Sequence, residues 1–121
     1  MKNQDKINYV ELPSTDLAAT KAFFTRVFGW TFQDFGPEYS AFNTDQAGLD
    51  GGFFQSKLKA STANGSALVV IYSAKLEETL SRVVDAGGVI VEEIFAFPGG
   101  RRFQFTEPGG SEFAAWSDKG A

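Results

Sequence analysis

Two residue types are missing from this 121-residue sequence, cysteine and histidine. Without cysteine the chain can form no disulfide and no thiolate metal site. Without histidine it can supply no imidazole metal ligand and no Ser-His-Asp or Cys-His catalytic arrangement. Any acid–base chemistry near neutral pH must therefore come from a carboxylate, a tyrosine or a lysine whose pKa is shifted.

Long apolar runs and clusters of basic residues are also scarce. No apolar stretch is long enough to cross a bilayer, and the polar start of the sequence shows no apolar signal segment, so we expect a soluble, cytoplasmic protein without a membrane partner. The formal net charge is −4, and Arg101 and Arg102 form the only adjacent basic pair, which argues against nucleic acid as a partner. A neutral or cationic small molecule suits this charge better.

The sequence contains one structural pattern that is used twice. A strand, a turn, a helix and further strand-like stretches begin near Tyr9, and the same order begins again near Leu68, about half the chain length later. We therefore predict a single α+β domain, residues 1–121, made of two βαβββ modules. Module one covers about 7–55, a polar linker about 56–66, and module two about 67–117.

Helices are predicted at 17–28 and 76–86 because apolar residues recur there at helical spacing. Asp16 is placed to cap the first helix, and Gly29 and Gly87 follow the two helices where left-handed caps are common. Strand pairs closed by turns at 44–48 and 107–110 are expected to end the two modules.

Five segments carry a family resemblance: residues 10–17, 22–24, 27–30, 105–110 and 113–116. In their order and spacing they resemble the glyoxalase/bleomycin-resistance/dioxygenase superfamily, also called vicinal oxygen chelate proteins, over roughly residues 7–117. The resemblance implies paired βαβββ modules forming a curled mixed sheet around a cleft, commonly completed by a homodimer. Family members include lyases, dioxygenases, epimerases, thiol transferases and antibiotic-sequestering proteins, so the resemblance does not choose a function.

Metal-using members of this family place their ligands at four positions on the first and last strands of the modules. The matching residues in this sequence are Tyr9, Gly52, Leu68 and Ala114. Leucine, alanine and glycine side chains offer no lone pairs, and a neutral tyrosine is a poor ligand for the divalent metals involved. We therefore expect neither a metal site of the usual kind nor a cofactor.

The alternation of side chains along strands predicts which residues face the cleft. The predicted cleft is aromatic and acidic, and would suit a flat organic molecule that carries a hydrogen-bond donor or a positive charge. The candidate ligand-binding residues are Tyr9, Glu11, Asp50, Phe54, Tyr72, Arg102, Glu112 and Trp116.

Glu11 is the candidate catalytic residue, because a carboxylate in an otherwise apolar strand needs a reason to be there. It would serve as a general base or a ligand anchor, or else be hydrogen-bonded to backbone or paired with Arg101 or Arg102. We expect Glu11 to lie on the cleft face, largely screened from solvent, with at least one polar partner.

The other candidates have structural alternatives too. Asp50 and Glu112 lie beside turns, where carboxylates are often only solvated. Tyr9 and Trp116 would stack on a ligand, or fill the core or a dimer seam. Arg102 would hold a carboxylate substrate or balance Glu11. A carboxylate-only site for Mg²⁺ or Mn²⁺ would need Glu11, Asp50 and Glu112 together.

Three functions follow from these features. The first is a metal-free small-molecule-binding protein that binds or sequesters its ligand as a homodimer. The second is a glyoxalase-related lyase or dioxygenase-type enzyme, with Glu11 as base or an unusual carboxylate-bound metal. The third is a dimeric interaction module with a vestigial cleft. The acidic, aromatic cleft favours the first function over the third.

Overall fold

A computed structural model of the chain describes residues 4–120. Module one contains β1 (Tyr9–Ser14), α1 (Leu17–Phe28), β2 (Phe32–Asp34), β3 (Tyr39–Phe42), α2 (Thr44–Ala47) and β4 (Asp50–Gln55). Module two contains β5 (Val69–Tyr72), α3 (Leu76–Asp85), β6 (Val89–Phe97), β7 (Gly100–Thr106) and β8 (Glu112–Ser117). The linker between the modules includes a short 3₁₀ turn at Thr62–Asn64.

The strands form two four-stranded mixed sheets with the same topology. The strand order is β1-β4-β3-β2 in module one and β5-β8-β7-β6 in module two. The first and last strands of each module are parallel, and the other neighbours are antiparallel. The predicted α+β fold class is thus confirmed, with the strands divided between two sheets that do not close into one barrel.

The start of α1 shows how closely local sequence sets an element. The Asp16 side chain accepts a hydrogen bond from the Ala19 amide at 3.1 Å, and Gly29 ends the helix at φ 75°, in the left-handed region. Both features were predicted from the sequence, since a short acidic side chain satisfies a free first-turn amide and glycine has no Cβ to oppose a positive φ.

One apolar cluster joins both modules. The fully buried Phe24 of α1 lies 5.4 Å from the Phe53 ring of β4 and 4.9 Å from the Phe113 ring of β8, measured between ring centroids. Phe23, on the same helix, lies 5.8 Å from Phe105 of β7. Helix α1 therefore packs against both sheets, and each sheet turns one face toward this core. We call the opposite face of each sheet its open face.

Two predicted boundaries are wrong. Residues 44–48 form the short helix α2 closed by Gly48 rather than a simple turn, with the Asn43 side chain accepting from the Gln46 amide at 3.1 Å. An extended stretch is predicted from the sequence at Val89–Ile94, but strand β6 continues to Phe97, where its last residues pair with β7 through a tight turn at Pro98. Within residues 4–120, no helix is long and apolar enough to span a bilayer.

Candidate functional site

A cluster of two phenols and a carboxylate lies on the open face of module one. The Tyr9 and Tyr39 hydroxyl oxygens are 2.7 Å apart, and the Glu11 carboxylate interacts with the Tyr39 hydroxyl. Burial, followed by the hydrogen bonds to Tyr9 and Glu11, raises the pKa of Tyr39. Tyr39 therefore remains a protonated donor at the centre of the cluster.

The Tyr39 ring lies across the sheet over Gly52, one of the four matched metal positions. A Cβ atom on Gly52 would lie 2.6 Å from the Tyr39 hydroxyl oxygen. At the other positions, Ala114 is fully buried and Leu68 offers no lone pair. Among residues 4–120, no three acidic side chains gather closely enough to hold a metal ion. The donor set that the family's metal requires does not fit these residues.

Glu11 lies on the open face, as predicted, but its environment differs from the prediction. Its neighbour Leu12 is buried in the core, whereas the Glu11 side chain is exposed, so the expectation that it is largely screened from solvent is wrong. The expected polar partner is Tyr39. Pairing with an arginine is wrong as well, because Arg101 bonds Glu77 and Arg102 bonds Gln104.

A cavity of about 600 Å³ lies beside Glu11, between β1 and the linker. Its wall is mainly apolar, and Glu11 and Phe54 are the two predicted site residues that line it. Linker residues 58–60 and 64–67 form the opposite wall. We call this space the linker cavity. Its volume lies within the range of about 300–1,000 Å³ that is typical of small-molecule sites.

Asp50 is placed next to this cluster by the sheet register. It pairs with Tyr9 across β1 and β4, and it is partly buried. The Thr44 hydroxyl of α2 donates a short hydrogen bond to its carboxylate. The hydrogen bond between Thr44 and Asp50 therefore connects α2 to β4.

Glu112 is buried instead of lying in an open cleft. Its carboxylate accepts hydrogen bonds from the Thr62 amide at 2.7 Å, the Thr62 hydroxyl at 3.0 Å and the Gln104 amide at 2.7 Å. Burial raises the pKa of Glu112, but the bonds from Thr62 and Gln104 outweigh it and hold the pKa below its usual value. Glu112 thus fastens the linker to module two as a carboxylate.

A row of side chains crosses the open face of module two. Phe95, Arg102, Trp116 and Tyr72 are cross-strand neighbours on β6, β7, β8 and β5 in turn. The Arg102 guanidinium carbon lies 5.3 Å from the Phe95 ring centroid, and the Trp116 and Tyr72 rings are 5.3 Å apart and perpendicular. The Tyr72 hydroxyl donates to Asp118 at 2.6 Å, which raises the pKa of Tyr72. We call these four residues the aromatic row.

The structure thus places the predicted site residues in two groups, one in each module, and separates Glu112 from both groups. Tyr9, Glu11, Asp50 and Phe54 share module one, Tyr72, Arg102 and Trp116 share module two, and Glu112 is covered by the linker. Sequence reasoning missed Tyr39, Phe95 and Gln104. Gly52 was the feature of the sequence that could have indicated the position of the Tyr39 ring. A glycine opposite a small residue on a sheet leaves space that a neighbouring ring can cover.

Comparisons with known proteins agree with this architecture. Residues 6–115 match the family model of the Glyoxalase/Bleomycin resistance protein/Dioxygenase superfamily. Among curated proteins, no sequence matches this chain.

Three of the similar solved structures illustrate the range of proteins with this fold. A glyoxalase-related enzyme from Fulvimarina pelagi has a TM-score of 0.76 at 18% identity, covering 93% of this chain and 88% of its own. The lactoylglutathione lyase from Agrobacterium tumefaciens has a TM-score of 0.68 at 18% identity, covering 96% of both chains. TioX from Micromonospora sp. ML1 has a TM-score of 0.68 at 21% identity, covering 94% of this chain and 99% of its own. At these identities the likeness concerns the fold.

Proposed function

Because this chain belongs to the Glyoxalase/Bleomycin resistance protein/Dioxygenase superfamily, we propose that it is a metal-free small-molecule-binding protein that holds its ligand on the open faces of its modules. The linker cavity is the observation that carries this proposal. It combines a ligand-sized volume and apolar walls with one carboxylate, Glu11, that is exposed beside it. Such a site combines apolar contact area with a polar group that can orient a ligand.

The metal-free part of the proposal has separate support. Gly52 and Ala114 carry no donor atoms, and the Tyr39 phenol covers the position where a side chain of residue 52 would project. Binding in this protein therefore depends on apolar contacts, on hydrogen bonds that Glu11 accepts and on hydrogen bonds with its tyrosine partners. Sequestration of a ligand would need nothing more.

Native mass spectrometry of protein purified from cells tests the proposal. We expect a small organic adduct, and less than stoichiometric Zn, Fe, Ni or Mn by elemental analysis after dialysis. The variant Ala67→Phe puts a ring into the wall of the linker cavity and should displace the adduct. Ala63→Phe, on the same linker but outside the cavity, is the matched control. Absence of an organic adduct, or about one transition metal per chain, would overturn the proposal.

An enzyme is the second candidate, because the module one cluster places an exposed carboxylate beside a phenol whose pKa is raised. A carboxylate can act as a base, and a phenol that stays protonated can donate a hydrogen bond to negative charge that develops on a substrate. Incubating the recovered ligand with wild type and with Glu11→Gln separates the two functions. Conversion by the wild type alone would indicate an enzyme, whereas unchanged ligand in both samples supports binding alone.

We also propose that the protein acts as a homodimer in the cytoplasm. Among the described strands, β1, β2, β5 and β6 each pair with a single neighbour, so neither edge of either sheet is covered by a further strand. Apolar side chains such as Val89 and Val91 are exposed on β6, an edge strand of module two. A second copy would cover both features. Sedimentation as a monomer at micromolar concentration would contradict this assembly.

A further inference from the structure

Arg102 differs from the other arginines of module two in its partners. Arg101, its neighbour on β7, points to the opposite face and bonds the Glu77 carboxylate, and Arg82 lies 3.6 Å from the Glu78 carboxylate. Within residues 4–120, no carboxylate pairs with Arg102. Its charge is therefore balanced by none of the acidic side chains that the structure describes.

The hydrogen bonds around Arg102 leave its guanidinium without a carboxylate partner. Its Nη2 donates to the Gln104 side-chain oxygen at 3.1 Å, and the Gln104 amide nitrogen donates to Glu112 at 2.7 Å. Glu112 in turn is held by Thr62 of the linker. The neutral Gln104 amide thus lies between Arg102 and the Glu112 carboxylate and orients Arg102. Arg102 Nε is buried without a hydrogen-bond partner among the described residues, and so is Arg101 Nε, so the absence of a carboxylate partner is what distinguishes Arg102.

A guanidinium carries five N–H donors, so Arg102, which in the described part of the chain is bonded only to the neutral Gln104 amide, still has donors to offer to a ligand acceptor. A guanidinium presents a planar set of N–H donors that matches a carboxylate in two parallel bonds. On either side of Arg102, Phe95 and Trp116 present rings along the same row. Those rings suit a flat organic body attached to the carboxylate.

From these contacts we infer that the aromatic row is a binding subsite for a planar aromatic carboxylate, with Arg102 as the group that holds the carboxylate. The inference goes beyond the proposed function, because none of the four residues of the aromatic row lines the linker cavity. It also revises the expectation of a cationic ligand, which was drawn from the net charge and from three cleft carboxylates. One of those carboxylates, Glu112, is buried under the linker.

Titration with a matched pair of probes, 2-naphthoate and 2-naphthamide, tests the charge requirement. The two molecules have the same ring and nearly the same shape, but only the first carries a charge. Calorimetry should show 2-naphthoate binding at least about tenfold more tightly, as charge-assisted hydrogen bonds provide. Nuclear magnetic resonance signals of Arg102 Nε–H and Trp116 Nε1–H should shift on binding.

Two variants locate the preference on Arg102. Arg102→Gln should reduce the ratio of the two affinities to about one, whereas the adjacent Arg101→Gln should leave it unchanged. Phe95→Glu is a second variant: Phe95 is partly exposed and directly opposite Arg102, so its carboxylate should pair with Arg102 and abolish the preference without a cavity in the core.

Each remaining outcome overturns the inference in a recognisable way. Equal binding of the two probes would overturn the carboxylate class and leave the proposed function standing. A preference that persists in Arg102→Gln and in Phe95→Glu would remove Arg102 from the site. If neither probe binds, the aromatic row is not a subsite, and the organic adduct in the linker cavity still decides the proposed function independently.

Discussion

The turns that end the two modules occupy equivalent places in the repeat but make different contacts. In module two, the turn at 107–110 docks on module one: the Thr15 amide donates to the Gly109 carbonyl at 2.9 Å, and the Ser111 hydroxyl donates to the Pro13 carbonyl at 2.7 Å. In module one, the counterpart α2 leaves a cavity of about 380 Å³ between itself and β5. The repeat is therefore symmetric in topology and asymmetric in packing.

The carboxylate at each turn explains part of this asymmetry. Glu107 is 2% exposed and accepts from the Thr20 hydroxyl at 2.6 Å, the Gly109 amide at 2.6 Å and the Ser111 amide at 3.0 Å. Asp45, its counterpart, is exposed. Thr79, the counterpart of Thr20, turns its hydroxyl back to the Lys75 carbonyl at 3.2 Å. A buried acceptor between the modules thus exists on one side of the repeat only.

The largest expected effect comes from removing that acceptor. Glu107→Ala leaves the two buried backbone amides without their acceptor, and each such loss costs about 1–3 kcal/mol, while the Thr20 hydroxyl keeps only its bond with Ser14. We expect the free energy of unfolding in urea to fall by about 3 kcal/mol or more. Asp45→Ala, the matched change in module one, should stay within about 0.5 kcal/mol. Similar losses in both variants would mean that the two turns are energetically equivalent.

A smaller effect should appear in the pH dependence of stability. Burial raises the pKa of Glu107 above its ordinary value of 4.5, although hydrogen bonds from Thr20, Gly109 and Ser111 oppose the shift. The native state then holds this proton more tightly than the unfolded chain does. The stability that the proton contributes is therefore fully present below the pKa of Glu107 in the unfolded chain, and it is lost as the pH rises through the pKa of Glu107 in the folded protein. Glu107→Gln cannot ionise. The stability of the wild type relative to this variant should therefore decline above pH 4.5.

Urea unfolding of both proteins at a series of pH values measures that difference directly. Asp45→Asn, at the exposed counterpart, is the control and should show no comparable decline. A difference between wild type and Glu107→Gln that grows with pH would show that the three hydrogen bonds outweigh burial.

The smallest effects concern the helix caps, which also differ between the modules. Asp16 caps α1, whereas Lys75 stands at the same place before α3 and makes no capping hydrogen bond with the residues described. Asp16→Ala should destabilise the protein by about 1 kcal/mol, and Lys75→Ser should stabilise it by about 0.5 kcal/mol. Thermal unfolding measures both, and opposite signs are the expected result. A loss of stability in Lys75→Ser would mean that the start of α3 is held by other contacts.

Sequence reasoning succeeded where neighbours along the chain decide the structure. The bounds of α1 were predicted correctly, because apolar spacing, the Asp16 cap and Gly29 all act within a few residues. The core faces of the strands were also correct, since Phe53 and Phe113 are almost fully buried. The topology was predictable because the family resemblance covered both copies of the repeat.

Sequence reasoning failed where distant residues decide the environment of a side chain. Glu112 is buried because Thr62, far away in the linker, bonds its carboxylate. Glu107 was assigned only to a turn, yet its partner Thr20 belongs to the other module. Tyr39 reaches Tyr9 across β4, a contact that depends on register rather than on local pattern. No window of sequence contains these pairs.

The missing side chain at residue 52 restricts how this protein could change over evolutionary time. A Cβ atom there would meet the Tyr39 hydroxyl oxygen and also the Ser40 backbone carbonyl, each at 2.6 Å. Replacing Tyr39 would remove the first obstacle, but no substitution removes a backbone carbonyl. A lineage that exchanged a ligand for Gly52 could not regain it by one reverse mutation, because β3 would have to move first. We therefore expect any side chain at residue 52 to require both a smaller residue at 39 and a shift of β3, which makes positions 39 and 52 epistatic.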